Sequence, residues 1–249
     1  MLYNADCLDI MRGMPDKCVD LMVNDLPFGM TQNQWDIPLP IDLLWEQILR
    51  IKKENTAIIF FGCGMFTAEL MESNKRLWRY NLIWEKGERA TGFLNSHKMP
   101  LRSHEDIIVF YSSLPTYNPQ FTRGDPTHRR DCSDRKNSTY GKFKEDNQRN
   151  YGFQKFPKSV LKFDKPHPPI HPSEKPVDLL ECLINTYSNP GDVVLDFCMG
   201  SGSTGVACIH TGRQFIGVEK EKVYFDAGKA RIEDAMRQEK LNSWGLVEI

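Results

Sequence analysis

Two groups of residues in this chain have types and spacings that suit chemistry on a bound ligand. In the first group, Gly200, Gly202 and Gly205 follow an apolar run with the spacing of a nucleotide-binding loop, since glycine lets the backbone turn sharply and approach a ligand. Asp196 precedes these glycines, where its carboxylate would repel a pyrophosphate and attract a cation. Glu219 ends the next strand-like run, where a ribose-binding acid is expected. The pattern predicts a site for a positively charged nucleoside.

The second group is the tetrapeptide Asp25–Phe28, which follows the apolar run Val19–Asn24. That run predicts a buried parallel strand. A carboxylate at the end of such a strand, followed by proline, lies where open α/β sheets bind their ligands. By itself the tetrapeptide favours a simple turn with a capping aspartate. Its pairing with the glycine loop is what favours catalysis.

The late position of the glycine loop narrows the choice of ligand. A nucleotide-binding sheet normally begins with the strand before such a loop, yet here only residues 219–249 follow the next strand. The remaining strands must therefore come from upstream. S-adenosylmethionine carries a sulfonium and an ammonium and no phosphate, so we predict it as the cofactor, with the methyl acceptor bound by the upstream residues. The same order and Asp196 disfavour a nicotinamide dehydrogenase.

Strand and helix patterns alternate along the chain, which is typical of an α/β fold with a doubly wound, mostly parallel, seven-stranded sheet. The predicted strands are Leu2–Tyr3, Val19–Asn24, Ala57–Gly62, Trp78–Trp84, Ile107–Tyr111, Val193–Leu195 and Gln214–Val218. The predicted helices are Leu8–Met14, Ile41–Ile51, Met65–Met71, Val177–Tyr187, a helix that begins near Val206, and Lys220–Glu239.

Composition sets outer bounds on the protein class. The 249 residues are enough for one substantial core, and the net charge of -1 means that an anionic partner must meet a local basic patch. The 7 cysteines form no Cys-x-x-Cys pair, which favours a reducing compartment, and no metal site is predicted. The N-terminus lacks a signal pattern and no apolar run is long enough to span a bilayer, so a cytoplasmic protein is expected.

The segment Ser112–Pro169 lacks the strand and helix pattern. Basic residues outnumber acidic ones there by roughly two to one, and aromatic residues are interleaved with them. This composition suits phosphate contacts and base stacking, although a solvated, flexible insertion has the same composition. The residues expected to contact nucleic acid are Arg123, Arg129, Arg130, Arg135 and Lys136.

Taken together, the motifs resemble those of the DNA amino-methyltransferases, which modify N4 of cytosine or N6 of adenine. Asp25–Phe28 resembles their Asp-Pro-Pro-Tyr signature. Residues 196–202 resemble their Phe-x-Gly-x-Gly cofactor motif, here with the Phe-x-x-Gly-x-Gly spacing that is usual when the two motifs are exchanged in order. The catalytic motif comes first and the cofactor loop last, which is the order of the family's beta group. His171–Pro176 is a further match. Leu26 and Phe28 depart from the signature but keep a backbone carbonyl and an aromatic face, so activity is still expected.

The resemblance implies a Rossmann-like methyltransferase fold with three parts. Residues 1–111 would form the catalytic half, residues 112–169 an inserted target-recognition segment, and residues 170–249 the cofactor-binding half.

The resemblance also assigns roles within the catalytic motif. The Asp25 carboxylate and the Leu26 carbonyl would accept the hydrogens of an exocyclic amino group. Pro27 would fix the turn that presents both acceptors. Phe28 would stack on a nucleotide flipped out of double-stranded DNA.

On the cofactor side, Glu219 would bind the ribose hydroxyls. Lys175 would neutralise the methionine carboxylate, or would be a plain surface lysine. Ser203 and Thr204 would bond the same carboxylate at the start of a helix. Asp6 would lie near the adenine, or would only shape a turn. The complete set of predicted S-adenosylmethionine ligands is Asp6, Lys175, Asp196, Phe197, Gly200, Gly202, Ser203, Thr204 and Glu219.

The identity of the methyl acceptor is the point that the sequence leaves most open. Aspartate at the head of the catalytic motif favours adenine N6, because cytosine-N4 enzymes of this permuted group more often carry serine there. Cytosine N4, RNA and protein acceptors are alternatives, as is a non-catalytic nucleic-acid-binding module. The recognition sequence, a homodimer and a cognate restriction endonuclease of a restriction-modification pair stay undetermined.

Overall fold

The computed structural model describes residues 1–29, 37–125, 153–171 and 173–243. It divides into two compact units, Met1–Asn118 with Ser159–Ile249, and Pro119–Lys158. The strands are β1 (Leu2–Tyr3), β2 (Val19–Asn24), β3 (Lys52–Gly62), β4 (Trp78–Glu85), β5 (His104–Phe110), β6 (Thr122–Arg123), β7 (Gln154–Lys155), β8 (Val160–Lys162), β9 (Val193–Asp196) and β10 (Gln214–Val218). The helices are α1 (Cys7–Gly13), α2 (Ile41–Ile51), α3 (Met65–Ser73), α4 (Val177–Tyr187), α5 (Ser203–His210) and α6 (Lys222–Ser243).

The larger unit contains an eight-stranded sheet in the order β1-β10-β9-β2-β3-β5-β4-β8. Strand β5 runs antiparallel to its neighbours β3 and β4, and the other neighbouring pairs of this sheet are parallel. The predicted doubly wound, mostly parallel sheet is therefore confirmed. All seven predicted strands belong to it.

The eighth strand, β8, lies within the segment predicted to lack regular structure. It is three residues long and pairs in parallel with the end of β4, with Val160 opposite Ile83. Only Leu161 of the three is partly buried. Such a short strand leaves neither an apolar run nor an alternating pattern in the sequence, so it was not predicted. Its pairing partner, rather than its own composition, makes it a strand.

Helices cover both faces of the sheet, and each face has its own apolar core. Leu21 and Val23 of β2 pack in one core, together with side chains of α4, α5 and α6. Met22, between them, points to the opposite face and packs with side chains of α1, α2 and α3. Burial on both faces explains why β2 is mostly apolar, with the continuous run Leu21–Val23.

The carboxyl ends of β2 and β9 lie side by side although about 170 residues separate them in the chain. The two strands pair in parallel, with Leu21 opposite Val194 and Met22 opposite Leu195. Beyond the paired residues, the backbone N–H of Phe197 donates to Asn24 Oδ1 at 2.7 Å. This pairing brings the catalytic motif after β2 and the glycine loop after β9 to the same edge of the sheet.

The smaller unit is described by residues 119–125 and 153–158. Its strands β6 and β7 pair antiparallel. The Arg123 guanidinium lies 5.7 Å from the centre of the Phe153 ring. The other predicted nucleic-acid contacts lie outside the described residues: Arg129, Arg130, Arg135 and Lys136. Across the described parts of both units, no helix is long and apolar enough to span a membrane.

Candidate active site

A cavity of about 580 Å³ lies at the edge of the sheet where β2 and β9 end. All four residues of the catalytic motif line it: Asp25, Leu26, Pro27 and Phe28. Eight of the nine predicted cofactor ligands also line it: Asp6, Lys175, Asp196, Phe197, Gly200, Ser203, Thr204 and Glu219. Gly202 is the exception. One cavity therefore contains both of the sites that the sequence predicts separately.

The catalytic motif is fixed to the protein on one side and presents an unused acceptor on the other. The Leu26 side chain is buried in the core, and the Phe28 ring packs against Phe66 of α3 with 4.5 Å between ring centres. Asp25 Oδ2 accepts a hydrogen bond from Lys175 Nζ at 2.5 Å. Its other oxygen, Oδ1, is buried and makes no hydrogen bond within the described residues. Burial raises the pKa of Asp25, and the positive charge of Lys175 opposes that rise.

Lys175 has partners that the sequence did not predict for it. The sequence assigns its ammonium to the cofactor carboxylate, whereas the structure places it between two protein carboxylates. Glu105 Oε2 lies 3.4 Å from Lys175 Nζ, and Glu105 Oε1 lies 2.7 Å from Lys86 Nζ. The four side chains form a row of alternating charge, Asp25, Lys175, Glu105 and Lys86. The two lysines are buried, with side-chain exposures of 7% and 3%.

Asp196 organises the glycine loop from inside. Its side chain is buried, and its Oδ1 accepts from the Cys198 N–H at 3.1 Å while Oδ2 accepts from the Thr204 hydroxyl at 2.6 Å. Burial raises its pKa to about 7, which the hydrogen bonds oppose and the charges of Asp25 and Glu219 reinforce. The sequence predicts that this carboxylate faces a cation at the mouth of the loop. In the structure both of its oxygens bond to the loop and the helix that it precedes.

The hydroxyls at the start of α5 also bond within the protein. The Thr204 hydroxyl donates to Asp196, and Ser203 Oγ lies 2.9 Å from Arg231 Nη1. Both hydroxyls are predicted to bind the cofactor carboxylate, but here they hold the loop to its neighbours. Gly202 adopts a left-handed conformation with a φ of +76°, and a Cβ at this position would lie 3.0 Å from the Gly228 backbone. This glycine therefore permits close packing of α6 against the loop.

Glu219 and Asp6 face the cavity from the ends of β10 and β1. Glu219 Oε2 accepts from the Gly200 N–H at 2.9 Å, and Oε1 accepts from the Glu221 N–H at 2.8 Å. Each oxygen keeps a second lone pair for a ligand. Burial raises the pKa of Glu219. Asp6 caps α1 by accepting from the Leu8 N–H at 3.0 Å, so it shapes a turn and lines the cavity at once.

Comparison with known protein families gives a match over most of the chain. The model of the N6/N4 DNA methylase family aligns with residues 19–230. The chain belongs to this family. The family predicted from the order and spacing of the two motifs is thereby confirmed.

Two relatives match nearly the whole chain. The type II methyltransferase M1.MboII of Moraxella bovis is 27% identical in an alignment 247 positions long. The alignment covers 90% of this chain and 92% of the relative. The DNA adenine methyltransferase YhdJ of Escherichia coli strain K12 is 28% identical in an alignment 262 positions long. The alignment covers 94% of this chain and 83% of the relative.

Solved structures show the same fold. The M1.HpyAVI-SAM complex has a TM-score of 0.63 at 23% identity, covering 93% of this chain and 98% of that chain. The cytosine-N4-specific PvuII DNA methyltransferase has a TM-score of 0.66 at 15% identity, covering 95% of this chain and 91% of that chain. Both alignments include almost the entire length of this DNA methylase.

The segment His171–Pro176 connects the two halves of the site in this DNA methylase. Its Glu174 bonds the Ile170 N–H at 2.6 Å and pairs with Arg231 of α6 at 2.6 Å. His171 packs edge-on against Tyr224, and burial lowers its pKa to about 4. No group of three metal-ligating side chains occurs among the described residues.

Sequence reasoning missed the roles of Glu105, Lys86, Glu174 and Arg231. Glu105 lies near the start of β5, in the run Arg102–Glu105 that also resembles a motif of the family, and this resemblance was the available signal for it. The polar residues at the ends of β4 and β5 gave no indication of their partners. Those partners come from strand neighbours and from a helix more than 50 residues away.

Proposed function

We propose that this protein transfers a methyl group from S-adenosylmethionine to the exocyclic N6 of adenine in double-stranded DNA. The observation that carries the proposal is the single cavity lined by both the catalytic motif and the glycine loop. A methyl donor and a methyl acceptor must occupy one space for the transfer to occur in line.

The residues of the cavity fit this cofactor. Its volume of about 580 Å³ lies in the usual range of small-ligand sites. More acidic than basic side chains line it, which suits a sulfonium and an ammonium better than a pyrophosphate. Glu219 would accept from the ribose hydroxyls, Asp6 would lie near the adenine, and the Gly200 backbone would pass the methionine part. When bound, S-adenosylmethionine supplies the methyl group, whose bond to sulfur breaks as its bond to nitrogen forms.

The chain's own residues would prepare the acceptor nitrogen. The lone pair of an exocyclic amino group is delocalised into the base, so the nitrogen is a poor nucleophile. The buried, unused Asp25 Oδ1 and the Leu26 carbonyl would accept its two N–H hydrogens and draw it towards a tetrahedral geometry. The same acceptors stabilise the positive charge that develops on nitrogen. The proton that leaves the amino group would depart on the side of Asp25.

A base inside a duplex cannot reach this cavity, so the target adenine would be flipped out. Phe28 is suited to stack on it because its ring lines the cavity and is held against Phe66. Pro27 fixes the turn between the two acceptors and this ring. The remaining predicted DNA contacts are the basic residues of segment 112–169, among which Arg123 is exposed.

Two observations support adenine over cytosine. Aspartate heads the catalytic motif, and a relative that is 28% identical is a DNA adenine methyltransferase. Cytosine N4 is the alternative, because the structural likeness to a cytosine-N4-specific enzyme shows that the fold serves either base. The relative M1.MboII is a type II methyltransferase, which makes a restriction-modification role a further proposal.

The test is methylation of unmodified genomic DNA by the purified protein, followed by digestion to nucleosides and mass spectrometry. We expect N6-methyladenine from the wild type and a loss of about 10²-fold or more in Asp25→Asn. Asp9→Asn, the same change at an exposed site on α1, serves as the matched control and is expected to retain activity. Methyl found only on cytosine would refute adenine specificity. No transfer to any DNA, with DNA binding indifferent to Asp25→Ala, would indicate a non-catalytic binding module.

A further inference from the structure

Resting on the proposed function, we propose that Lys175 is a positioning residue for Asp25 rather than a cofactor ligand, and that Glu105 and Lys86 hold Lys175 in place. This assignment deepens the account of the catalytic site. It adds three charged side chains to the tetrapeptide that the family signature defines. They come from the residue after β4, from β5 and from the segment before α4.

The Lys175 ammonium lies among acceptors that belong to the protein. An ammonium has three N–H donors. Two acceptors take hydrogen bonds from this one, Asp25 Oδ2 at 2.5 Å and the Ser173 carbonyl at 3.1 Å, and Glu105 Oε2 lies 3.4 Å away as an ion-pair contact without a hydrogen bond. The Phe61 ring lies 5.0 Å away on a further side. Two protein carboxylates already lie against the ammonium, so the carboxylate of a cofactor would meet their negative charge there.

The two oxygens of the Asp25 carboxylate have different surroundings. The Lys175 contact takes Oδ2 only, so Oδ1 remains as the acceptor for an amino group. A carboxylate accepts at both oxygens only while it is ionised, since protonation turns one of them into a donor. Because Oδ2 accepts from Lys175, that proton would lie on Oδ1. Burial favours the protonated form and the adjacent ammonium favours the ionised form. Lys175 thus orients the carboxylate and favours its ionised form.

Glu105 and Lys86 complete the arrangement. A single buried lysine between two carboxylates would leave an excess negative charge, and the Lys86 ammonium at 2.7 Å from Glu105 balances it. Other titratable or charged groups lie near this row and line the same cavity: Asp196, Lys165, His171, Cys63 and Arg102. The contribution of Glu105 to Asp25 is opposite in sign to that of Lys175, because a second negative charge disfavours ionisation.

The backbone around Lys175 is held independently of any ligand. The neighbouring Glu174 is buried and pairs with Arg231 of α6 at 2.6 Å. Ser173 bonds the His171 ring through its N–H at 3.2 Å. The position of the ammonium is therefore supported by contacts within the protein itself.

The test compares Lys175→Met and Glu105→Gln with the wild type. The carboxyl pKa of Asp25 is measured by ¹³C NMR of the protein without cofactor, with Asp25→Asn used to assign the signal. We expect a rise of roughly 1–3 units in Lys175→Met, because an opposite charge at contact distance is removed. We expect a fall in Glu105→Gln, where a like charge is removed. Lys229→Met, an exposed lysine on α6, is the matched control and is expected to change nothing.

Two further measurements distinguish a positioning role of Lys175 from a cofactor-binding role. The acidic limb of the kcat/KM profile for methylation is expected to move with the Asp25 pKa, upward in Lys175→Met and downward in Glu105→Gln. The Kd for S-adenosylmethionine, measured by calorimetry, is expected to change less than about threefold, well under the tenfold that about 1.4 kcal/mol represents.

An unchanged Asp25 pKa in Lys175→Met, or a tenfold weaker Kd with an unmoved pH profile, would overturn the proposal and return Lys175 to the cofactor. If Lys175→Met does not fold, the downward shift in Glu105→Gln decides the matter, and no shift there also overturns it. A wild type that methylates no DNA while the NMR shifts appear as expected would refute the proposed function and leave the positioning of Asp25 intact.

Discussion

The buried carboxyl group of Asp196 makes the free energy of unfolding of this protein depend on pH. Its pKa is raised from the ordinary value of 3.8 to about 7, chiefly by burial. A carboxyl group whose pKa is raised in the folded state stabilises that state fully below pH 4. The stabilisation is lost as the pH rises from about 4 to about 7, because the unfolded chain releases the proton first.

The size of the effect follows from the shift of about three units. Each unit corresponds to about 1.36 kcal/mol, so the whole span is worth about 4 kcal/mol. Between pH 5 and pH 7 this one group is expected to lower the free energy of unfolding by about 2.3 kcal/mol, because the folded-state carboxyl group is already half ionised at pH 7. Asp196→Asn has no proton to lose, and its amide can still bond Thr204 and the Cys198 N–H.

The assay is urea unfolding followed by tryptophan fluorescence, at pH 5, 6, 7 and 8 and without cofactor. Trp45 and Trp84 are buried in the larger unit, so their emission reports its unfolding. We expect the stability of Asp196→Asn to improve relative to the wild type by about 1.3 kcal/mol from pH 5 to pH 6, by about 1 kcal/mol from pH 6 to pH 7, and then to level off. Asp9→Asn, which removes an exposed carboxylate, is the control. Parallel curves for the wild type and Asp196→Asn would refute the reasoning.

Two further predictions concern a close packing contact and a buried hydrogen bond. In Gly205→Ala the new Cβ would lie 2.3 Å from Ile232 Cδ1, so we expect a loss of about 1–2 kcal/mol in urea unfolding despite the better helix propensity of alanine. Gly13→Ala, where nothing lies within 4 Å, is the matched control, and equal stabilities of the two variants would contradict the packing argument. Trp84→Phe removes the donor to the Phe163 carbonyl at 2.8 Å, so we expect a loss of about 1–3 kcal/mol; an unchanged unfolding midpoint would show that this bond is dispensable.

The sequence by itself determined the elements whose signal is local. Helices α2 and α4 occur at Ile41–Ile51 and Val177–Tyr187, as their apolar spacing predicts, because a helix that packs on a core shows its period within a dozen residues. The strand-loop-helix unit around Gly200 and the motif at Asp25 were likewise recognisable from short runs. Their adjacency followed from chemistry, since donor and acceptor must meet, and the pairing of β2 with β9 confirms it.

The tertiary structure decided which polar groups became partners. Lys175 meets Asp25 across 150 residues of chain, and Asp196 bonds the first turn of α5 instead of facing outwards. Strand β8 exists only because the end of β4 offers it a partner. The physical reason is that burial and pairing depend on which strands become neighbours. A local pattern specifies an element and its buried face, whereas the partner of a charge at a strand end is set by the order of the sheet.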